Sequence, residues 1–171
     1  MIECKKFLGK FRGTVVNNID PEQRGRIQVV VPDVSAFGLT TWAMPSLPIG
    51  GLQTGVFSIP VVGSGVWVEF EQGDLDYPIW VGTFWGSVAE VPPLAHSVPP
   101  GVPGIILQTP LQNGLIISDV PGPTGGILIK STTGAFILVN DVGIIIQNGK
   151  GASIVMQGPT TVINQGSLVV L

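Results

Sequence analysis

A short acidic stretch and one histidine are the residues of this sequence whose types could support catalysis. Glu69, Glu71, Asp74 and Asp76 lie close together, and paired carboxylates are what glycoside hydrolases use. The surrounding pattern favours a simpler interpretation, in which Glu69 and Glu71 face solvent from a strand and Asp74 begins a turn. Because His96 is the only histidine, neither a histidine-based triad nor a multi-histidine metal site can form within one chain. We therefore predict no catalytic residue, no cofactor and no metal.

Aromatic and basic residues offer a second kind of chemistry, the stacking of single-stranded nucleic acid. A net charge of −3 argues against it, since nucleic-acid binding draws much of its affinity from phosphate contacts. We assign the tryptophans to a protein core and a subunit interface instead. We predict that the two arginines hold a carboxylate of a neighbouring subunit or partner protein. The residues concerned are Arg24, Arg26, Trp42, Trp67, Trp80 and Trp85.

The composition indicates an all-β protein. Only 11% of the residues are charged and 44% are hydrophobic, and 24 glycines with 15 prolines leave little room for long helices. No apolar run reaches the roughly 18 residues that a membrane-spanning helix needs. The N-terminus lacks the apolar core of a signal peptide, and the single cysteine, Cys4, cannot form an intrachain disulfide. We therefore expect synthesis in the cytoplasm.

Charge divides the chain into two parts. Residues 1–90 contain most of the charged side chains, whereas residues 104–171 contain only Lys130, Lys150, Asp119 and Asp141. The segment between them, residues 91–103, is rich in proline, which fixes φ and removes backbone donors. We predict an extended connector at 91–103, with a domain on either side of it.

The first domain has the strand and turn pattern of a small closed β-barrel. Strand-like runs at 11–16 and 26–31 flank an Asn- and Pro-containing turn, and those at 65–71 and 78–85 flank Gly73-Asp74. About five strands in this length fit a barrel, which also protects its own strand edges.

The second domain has the pattern of a β-repeat. Short β-branched runs recur between glycines spaced by a few residues, which suits one strand and one tight turn per unit. The eight predicted strands are centred on residues 105–107, 115–117, 127–129, 136–139, 144–146, 154–156, 161–163 and 168–170.

These strands favour association of several chains. Many runs are apolar at consecutive positions, so both faces of a strand need shelter from water. Leaving one apolar residue per strand exposed would forgo about 3 kcal/mol for each strand. Winding several chains around one axis would bury the inward face and pair strand edges with neighbouring chains. Three copies of His96 on such an axis could bind a metal ion, although its position in the connector argues against this.

Residues 5–90 resemble the OB-fold spike proteins of contractile tails, which include phage baseplate assembly protein V and the spike part of the type VI secretion protein VgrG. The similarity begins with an Asp-Pro turn, Gly-Arg and a β-branched strand. The Gly-rich second half is similar to the triple-stranded β-helical needle of that family. The segments that carry the resemblance to the barrel are 13–16, 20–29, 42–45, 61–70 and 73–85.

The resemblance implies a homotrimer with an OB-fold barrel and an intertwined triple-stranded β-helix. It implies a structural, non-enzymatic central spike in a phage baseplate or a phage-tail-like particle, among other baseplate proteins. The barrel would attach under the tail hub, with Arg24 and Arg26 as candidate contacts, and the needle would pierce the target membrane on sheath contraction. The sequence shows no lysozyme domain, fused hub or His-x-His apex. A PAAR-like tip protein would then dock on the apolar end formed by Leu168, Val169, Val170 and Leu171.

Two other functions stay open at this point. An OB-fold protein could bind single-stranded nucleic acid, which tight oligonucleotide binding at physiological salt would reveal. A trimeric surface fibre or adhesin would instead require export and an exposed receptor-binding tip.

Overall fold

The computed structural model describes residues 6–34 and 38–170 of the chain. These residues form β-strands and short 3₁₀ turns without any α-helix, so the all-β prediction is confirmed. It follows that this part of the chain has no helix that is long and apolar enough to cross a membrane. The chain divides after Glu90 into two compact units, which are described separately below. Cys4 and Leu171 lie outside the described residues.

The first unit is built around a five-stranded sheet whose strands, in spatial order, are β2 (Gln28–Val30), β1 (Phe11–Asn17), β6 (Gly65–Phe70), β7 (Pro78–Phe84) and β3 (Met44–Pro45). Its neighbouring strands are antiparallel except for β3 and β7, which are parallel. Ile27 and Ala43 exchange two backbone hydrogen bonds of 2.8 and 3.2 Å and so connect the two ends of the sheet. The predicted barrel is therefore closed. A small additional hairpin is formed by β4 (Gly50–Gly51) and β5 (Thr54–Gly55).

Alternating side chains of these strands fill the barrel. In β6, Val66, Val68 and Phe70 point inward and are buried, whereas the residues between them are half-buried. Phe7 and Phe11 pack edge-to-face on Phe70, with ring centroids 6.3 and 5.6 Å away. The period of two expected for a half-buried strand thus places one continuous hydrophobic core inside the barrel. Other members of this core are Val15, Ile27, Val29, Val31, Ala43 and Trp80.

The second unit is one antiparallel sheet whose eight strands follow their order in the sequence. Each of the eight runs that the sequence predicted as strands forms one. Every strand except the first and the last pairs on both sides with its neighbours in the chain, where we expected neighbouring chains to pair the edges. Tight turns explain the difference, because closing a short loop costs little entropy. The strands are β8 (Gly104–Gln108), β9 (Gly114–Ser118), β10 (Gly126–Lys130), β11 (Ala135–Asn140), β12 (Gly143–Asn148), β13 (Ser153–Gln157), β14 (Thr160–Ile163) and β15 (Leu168–Val170).

The Pro-rich connector is not extended throughout, as the sequence analysis expected. Pro93–Ser97 forms a 3₁₀ turn, with proline at its first position. The φ angle that proline fixes suits the first turn of a helix, and the missing N–H has no partner to lose there. This segment belongs to the second compact unit. The remaining 3₁₀ turns are Glu71–Gly73, Val88–Glu90, Gly122–Thr124 and Asn164–Gly166.

Candidate functional site

The loop between β1 and β2 is organised around the buried carboxylate of Asp20. One carboxylate oxygen accepts the backbone N–H of Glu22 at 3.0 Å and two guanidinium N–H groups of Arg26 at 2.7 and 3.1 Å. The other accepts the backbone N–H groups of Arg24 at 2.8 Å and Arg26 at 3.2 Å. A single side chain therefore ties together the whole turn that the Asp-Pro pair begins.

Charge within this loop is balanced inside the chain. The hydrogen bond from the Arg26 guanidinium, with three backbone N–H groups, holds the pKa of Asp20 well below its ordinary value. The same contact with Asp20 raises the pKa of Arg26. Glu22 lies 3.1 Å from Arg24 and 3.0 Å from Arg26, and the hydrogen bond with Arg24 lowers its pKa. Both arginines thus already hold carboxylates of their own chain, and a contact with a hub or another subunit stays a prediction.

Two tryptophans fix this loop on the barrel. The indole N–H of Trp80 donates a buried 3.1 Å hydrogen bond to the carbonyl oxygen of Gly25. The guanidinium of Arg26 lies 5.6 Å from the centre of a Trp42 ring, within the range of a cation–π contact. The Arg26 side chain is only 13% exposed, whereas that of Arg24 is 53% exposed. Of the two predicted contact residues, Arg24 is therefore the one available to a partner.

The tryptophans do not form one stacking surface for nucleic-acid bases. Trp80 lies in the barrel core, and Trp85 is 61% exposed. Trp67 packs against Phe84, with ring centroids 5.0 Å apart, and the Arg12 guanidinium lies within 5.4 Å of both rings. The predicted core position holds for Trp80. An interface role for the others stays a prediction.

The acidic stretch forms a strand end and a turn. The Glu69 carboxylate is 3.4 Å from the Lys10 ammonium group on the surface. Asp74 accepts the backbone N–H of Asp76 at 3.0 Å through its side chain, so it forms the predicted turn. Among the described residues, no three His, Cys, Asp or Glu side chains group into a metal site. His96 is exposed in the connector turn.

The strand register gives the sheet of the second unit two unlike faces. Directly paired residues share a face, as in the rows Ile117–Ile127–Val139 and Ile116–Leu128–Leu138. We call the first side the apolar face, since Asn148 and Thr161 are its only polar members among the described side chains. It otherwise carries Ile105, Leu107, Leu115, Ile117, Ile127, Ile129, Ala135, Ile137, Val139, Ile144, Ile146, Ile154, Met156, Ile163 and Leu168.

We call the opposite side the mixed face. It has one apolar residue near the centre of each strand, with polar residues or glycine toward the strand ends, except that β11 also places Phe136 on this face near its end. Its polar members are Gln108, Ser118, Lys130, Asn140, Gln147, Ser153, Gln157 and Thr160.

Among the residues that the structure describes, most of the apolar face is exposed in the single chain. Ten of its side chains are between 37 and 61% exposed. On the mixed face, by contrast, Ile116 is only 7% exposed, and the other central residues from Ile106 to Val162 are half-buried. Ten exposed apolar side chains on one face of a sheet mark an interaction surface.

Two matches to protein-family models cover most of the chain. Residues 11–85 match the type VI secretion system/phage-baseplate injector OB domain. Residues 104–169 match the phage baseplate V C-terminal trimerisation domain. The chain belongs to the phage baseplate V family. No curated protein matches this sequence.

Membership in the baseplate V family identifies the two units of the chain. The closed barrel is its OB domain, and the sheet with the bare apolar face is its trimerisation domain. The end of that sheet is described in part: Leu168 is 53% exposed, and the backbones of Val169 and Val170 pair with β14. Docking of a tip protein at Leu168, Val169, Val170 and Leu171 stays a prediction.

Sequence reasoning missed two features of this baseplate V chain. It noted Asp20 only as part of a turn motif, although the side chain of this residue accepts five hydrogen bonds within the loop. An Asp followed by Pro and then by a Gly-Arg pair was the available signal. It also treated both strand faces as equally apolar, because the difference appears only when the register aligns alternate residues across all strands.

Proposed function

We infer that this baseplate V chain is the structural, non-enzymatic central spike of a contractile injection machine, working as a homotrimer. The observation that carries the proposal is the bare apolar face of a sheet that matches a trimerisation domain. Three copies of this face can cover one another, whereas one chain cannot cover it.

The free energy available from burying the apolar face is large compared with the stability of an ordinary domain. Ten side chains are 37 to 61% exposed on this face. At roughly 60 Å² each and about 25 cal/mol per Å², their burial would contribute on the order of 15 kcal/mol per chain. Ordinary domains are stable by about 5–15 kcal/mol in total. Association therefore has a driving force comparable with folding itself.

The shape expected of such a trimer suits a mechanical part. Eight strands at about 4.8 Å spacing give a rod on the order of 40 Å long. Consecutive antiparallel pairing satisfies the backbone hydrogen bonds of neighbouring strands along this rod, and the strands contain few charged side chains. In the proposed machine the three chains form the triple-stranded β-helical needle, the needle points toward the target envelope, and sheath contraction drives it through the membrane.

The remaining partners follow from this placement. The OB domain attaches under the tail hub among other baseplate proteins, with the exposed Arg24 as a candidate contact. A PAAR-like protein caps the strand end at Leu168. The chain is made in the bacterial cytoplasm and assembled there into a phage baseplate or a phage-tail-like particle.

Electron microscopy of assembled particles tests this function. The chain would carry a small tag after Glu90, be expressed with its neighbouring tail genes, and be detected with gold-labelled antibody. We expect gold at the end of the tail tube, within the baseplate. Labelling of the sheath or of peripheral fibres would refute the proposal.

Two solution measurements separate the alternatives. Light scattering coupled to size exclusion should give three chains per particle. Fluorescence titration with a labelled single-stranded oligonucleotide at physiological salt should give no tight binding. Tight binding would favour the nucleic-acid hypothesis, for which the separated tryptophans give no support.

A further inference from the structure

One strand of the barrel has a backbone edge that is only partly paired. On one side, β7 pairs with β6 along its length. On its other side, β3 pairs only with Ile79 and Trp80, and Ser46 then donates a 2.9 Å backbone hydrogen bond to the carbonyl oxygen of Trp80. In the described part of the chain, no strand continues along this edge beside residues 81–84.

A cleft of 810 Å³ lies at this free edge. Residues 46–48, which follow β3, line one side of it, and residues 81–85 line the other. Residues 58–65 form a further wall. Gly82 carries no side chain, and the place where its Cβ would lie has no heavy atom of a non-neighbouring residue within 4 Å. A glycine inside a strand leaves room for another backbone to approach closely.

The wall formed by residues 58–65 is held in place by the barrel. Ile59 packs against the hydrophobic core. The side-chain amide of Asn18 donates a 3.0 Å hydrogen bond to the carbonyl oxygen of Pro60. The backbone N–H of Gly63 donates a 2.8 Å hydrogen bond to the carbonyl oxygen of Val15. The cleft is therefore formed before any partner binds, which lowers the entropic cost of binding.

We propose that this cleft binds an extended strand of a partner protein, which adds to the barrel sheet beside β7. In strand addition, the backbone groups of an exposed edge supply affinity and the pockets for alternate side chains supply specificity. Only an extended backbone presents a matching row of donors and acceptors, so the free edge itself determines the kind of occupant. The proposal goes beyond the spike function and does not depend on three-fold association of the second unit.

The lining of the cleft determines which side chains the partner strand should carry. Among the described residues that line it, Glu90 is the one charged residue, and its carboxylate accepts the backbone N–H of Gly86 at 2.8 Å. Because no cation lines the cleft, a carboxylate of the partner would be buried without a counter-charge. We therefore expect apolar residues at alternate positions of the partner strand, and neither Asp nor Glu. The apolar side chains that they would contact are 41 to 61% exposed and belong to Leu47, Val56, Val61, Val62 and Trp85.

Other copies of this chain are poorly suited to supply the strand. Their Pro-rich connector, residues 91–103, lacks N–H groups at its prolines and cannot form a continuous ladder. In the second unit, every strand from β9 to β14 already pairs on both sides. We therefore assign the strand to a different protein.

Peptide selection on the full chain tests the proposed site. A phage-displayed library of linear random peptides is panned against the immobilised protein, and the most enriched peptide is synthesised unmodified and with N-methyl groups on either alternate set of backbone amides. Tryptophan fluorescence reports binding, since Trp85 lines the cleft and is 61% exposed. We expect at least one methylated form to bind at least ~10-fold more weakly, because methylation removes the donors of the ladder. Failure to enrich any peptide, or equal binding of all three forms, would overturn the proposal.

A matched pair of variants locates the binding. Val62→Asp places a carboxylate in the wall of the cleft, whereas Val88→Asp places one at a position that is 76% exposed and does not line it. We expect the selected peptide to bind at least ~10-fold more weakly to Val62→Asp and to change by less than about threefold with Val88→Asp. Circular dichroism shows that both variants keep their strands. Equal affinity for the two variants would contradict binding in the cleft.

Photo-cross-linking in assembled particles tests the kind of occupant. Val62→p-benzoylphenylalanine should cross-link to a different protein, and mass spectrometry should map the linked residue to a segment without proline that has apolar residues at alternate positions. A cross-link to another copy of this chain, or none, would overturn the proposal. Gold labelling of the baseplate tests the spike function separately, so either proposal can fail while the other stands.

Discussion

Truncation of Ile129 to alanine should weaken the trimer by an amount that the structure allows to be calculated. Ile129 is 52% exposed in the single chain. The atoms removed in Ile129→Ala account for roughly 60 Å² of that exposed area, worth about 1.5 kcal/mol per chain or about 4.5 kcal/mol per trimer. This corresponds to a change of roughly a thousandfold in the association constant. Because trimer dissociation depends on the square of concentration, half-dissociation should move to roughly 30-fold higher protein concentration.

Sedimentation equilibrium over a dilution series measures this shift, at a fixed urea concentration that brings wild-type dissociation into the micromolar range. Leu111→Ala is the matched control. Leu111 is 72% exposed but lies in the turn between β8 and β9, outside the apolar face. We expect its midpoint to move by less than about threefold. If Ile129→Ala dissociates at the wild-type concentration, the argument from apolar area is wrong.

Three further substitutions test contacts that stabilise one unit or the other from within. Asp20→Asn should lower the unfolding temperature at pH 7; because the folded pKa of Asp20 is depressed, its contribution is complete above the ordinary value of 3.8 and is lost as pH falls below it. The two melting curves should therefore converge in acid. Trp80→Phe leaves the Gly25 carbonyl oxygen unpaired and should cost about 2 kcal/mol in chemical unfolding. Gly126→Ala should cost at least ~2 kcal/mol, since Gly126 has φ +86° and a Cβ there would meet the Val139 carbonyl oxygen.

Each of these changes has a control that isolates its cause. Asp76→Asn alters an exposed carboxylate outside the loop of Asp20 and should leave the unfolding temperature at pH 7 close to that of the wild type. Trp85→Phe alters a tryptophan that is 61% exposed and should cost less than about 0.5 kcal/mol. Gly122→Ala places a Cβ at a similar φ of +80° in open space, so it carries the backbone strain of Gly126→Ala without the collision. Equal losses at 122 and 126 would contradict the steric argument.

The positions of the strands were predictable because their signal is local. The run from Ile144 to Ile146, bounded by Gly143 and Asn148, can form a strand whatever surrounds it, and it does. The barrel strand at 65–70 shows the alternation of a half-buried strand in the sequence itself. Family resemblance was carried by motifs that are equally local, such as the Asp-Pro turn at Asp20.

The partners of the charged residues were not predictable. A contact of Arg26 with a carboxylate of a neighbouring subunit or the hub stays a prediction, but the sequence did not reveal its 2.7 Å ion pair with Asp20 of its own chain. A short sequence separation does not reveal whether a turn folds back on itself, since that depends on the backbone angles at Gln23 and Gly25, both with positive φ. The connector shows the same limit, because proline permits either an extended segment or the 3₁₀ turn found at Pro93–Ser97.

The sequence by itself determined that this chain is built from strands, that its two halves differ in charge, and that the second half has more apolar surface than one chain can cover. Those properties are sums over residue types and short-range patterns. Only the tertiary structure decided which residues share a face, because that requires the register of eight paired strands at once. The register separates Ile129 from Lys130, its neighbour in the chain, and gives the sheet one side suited to other copies and one side suited to water.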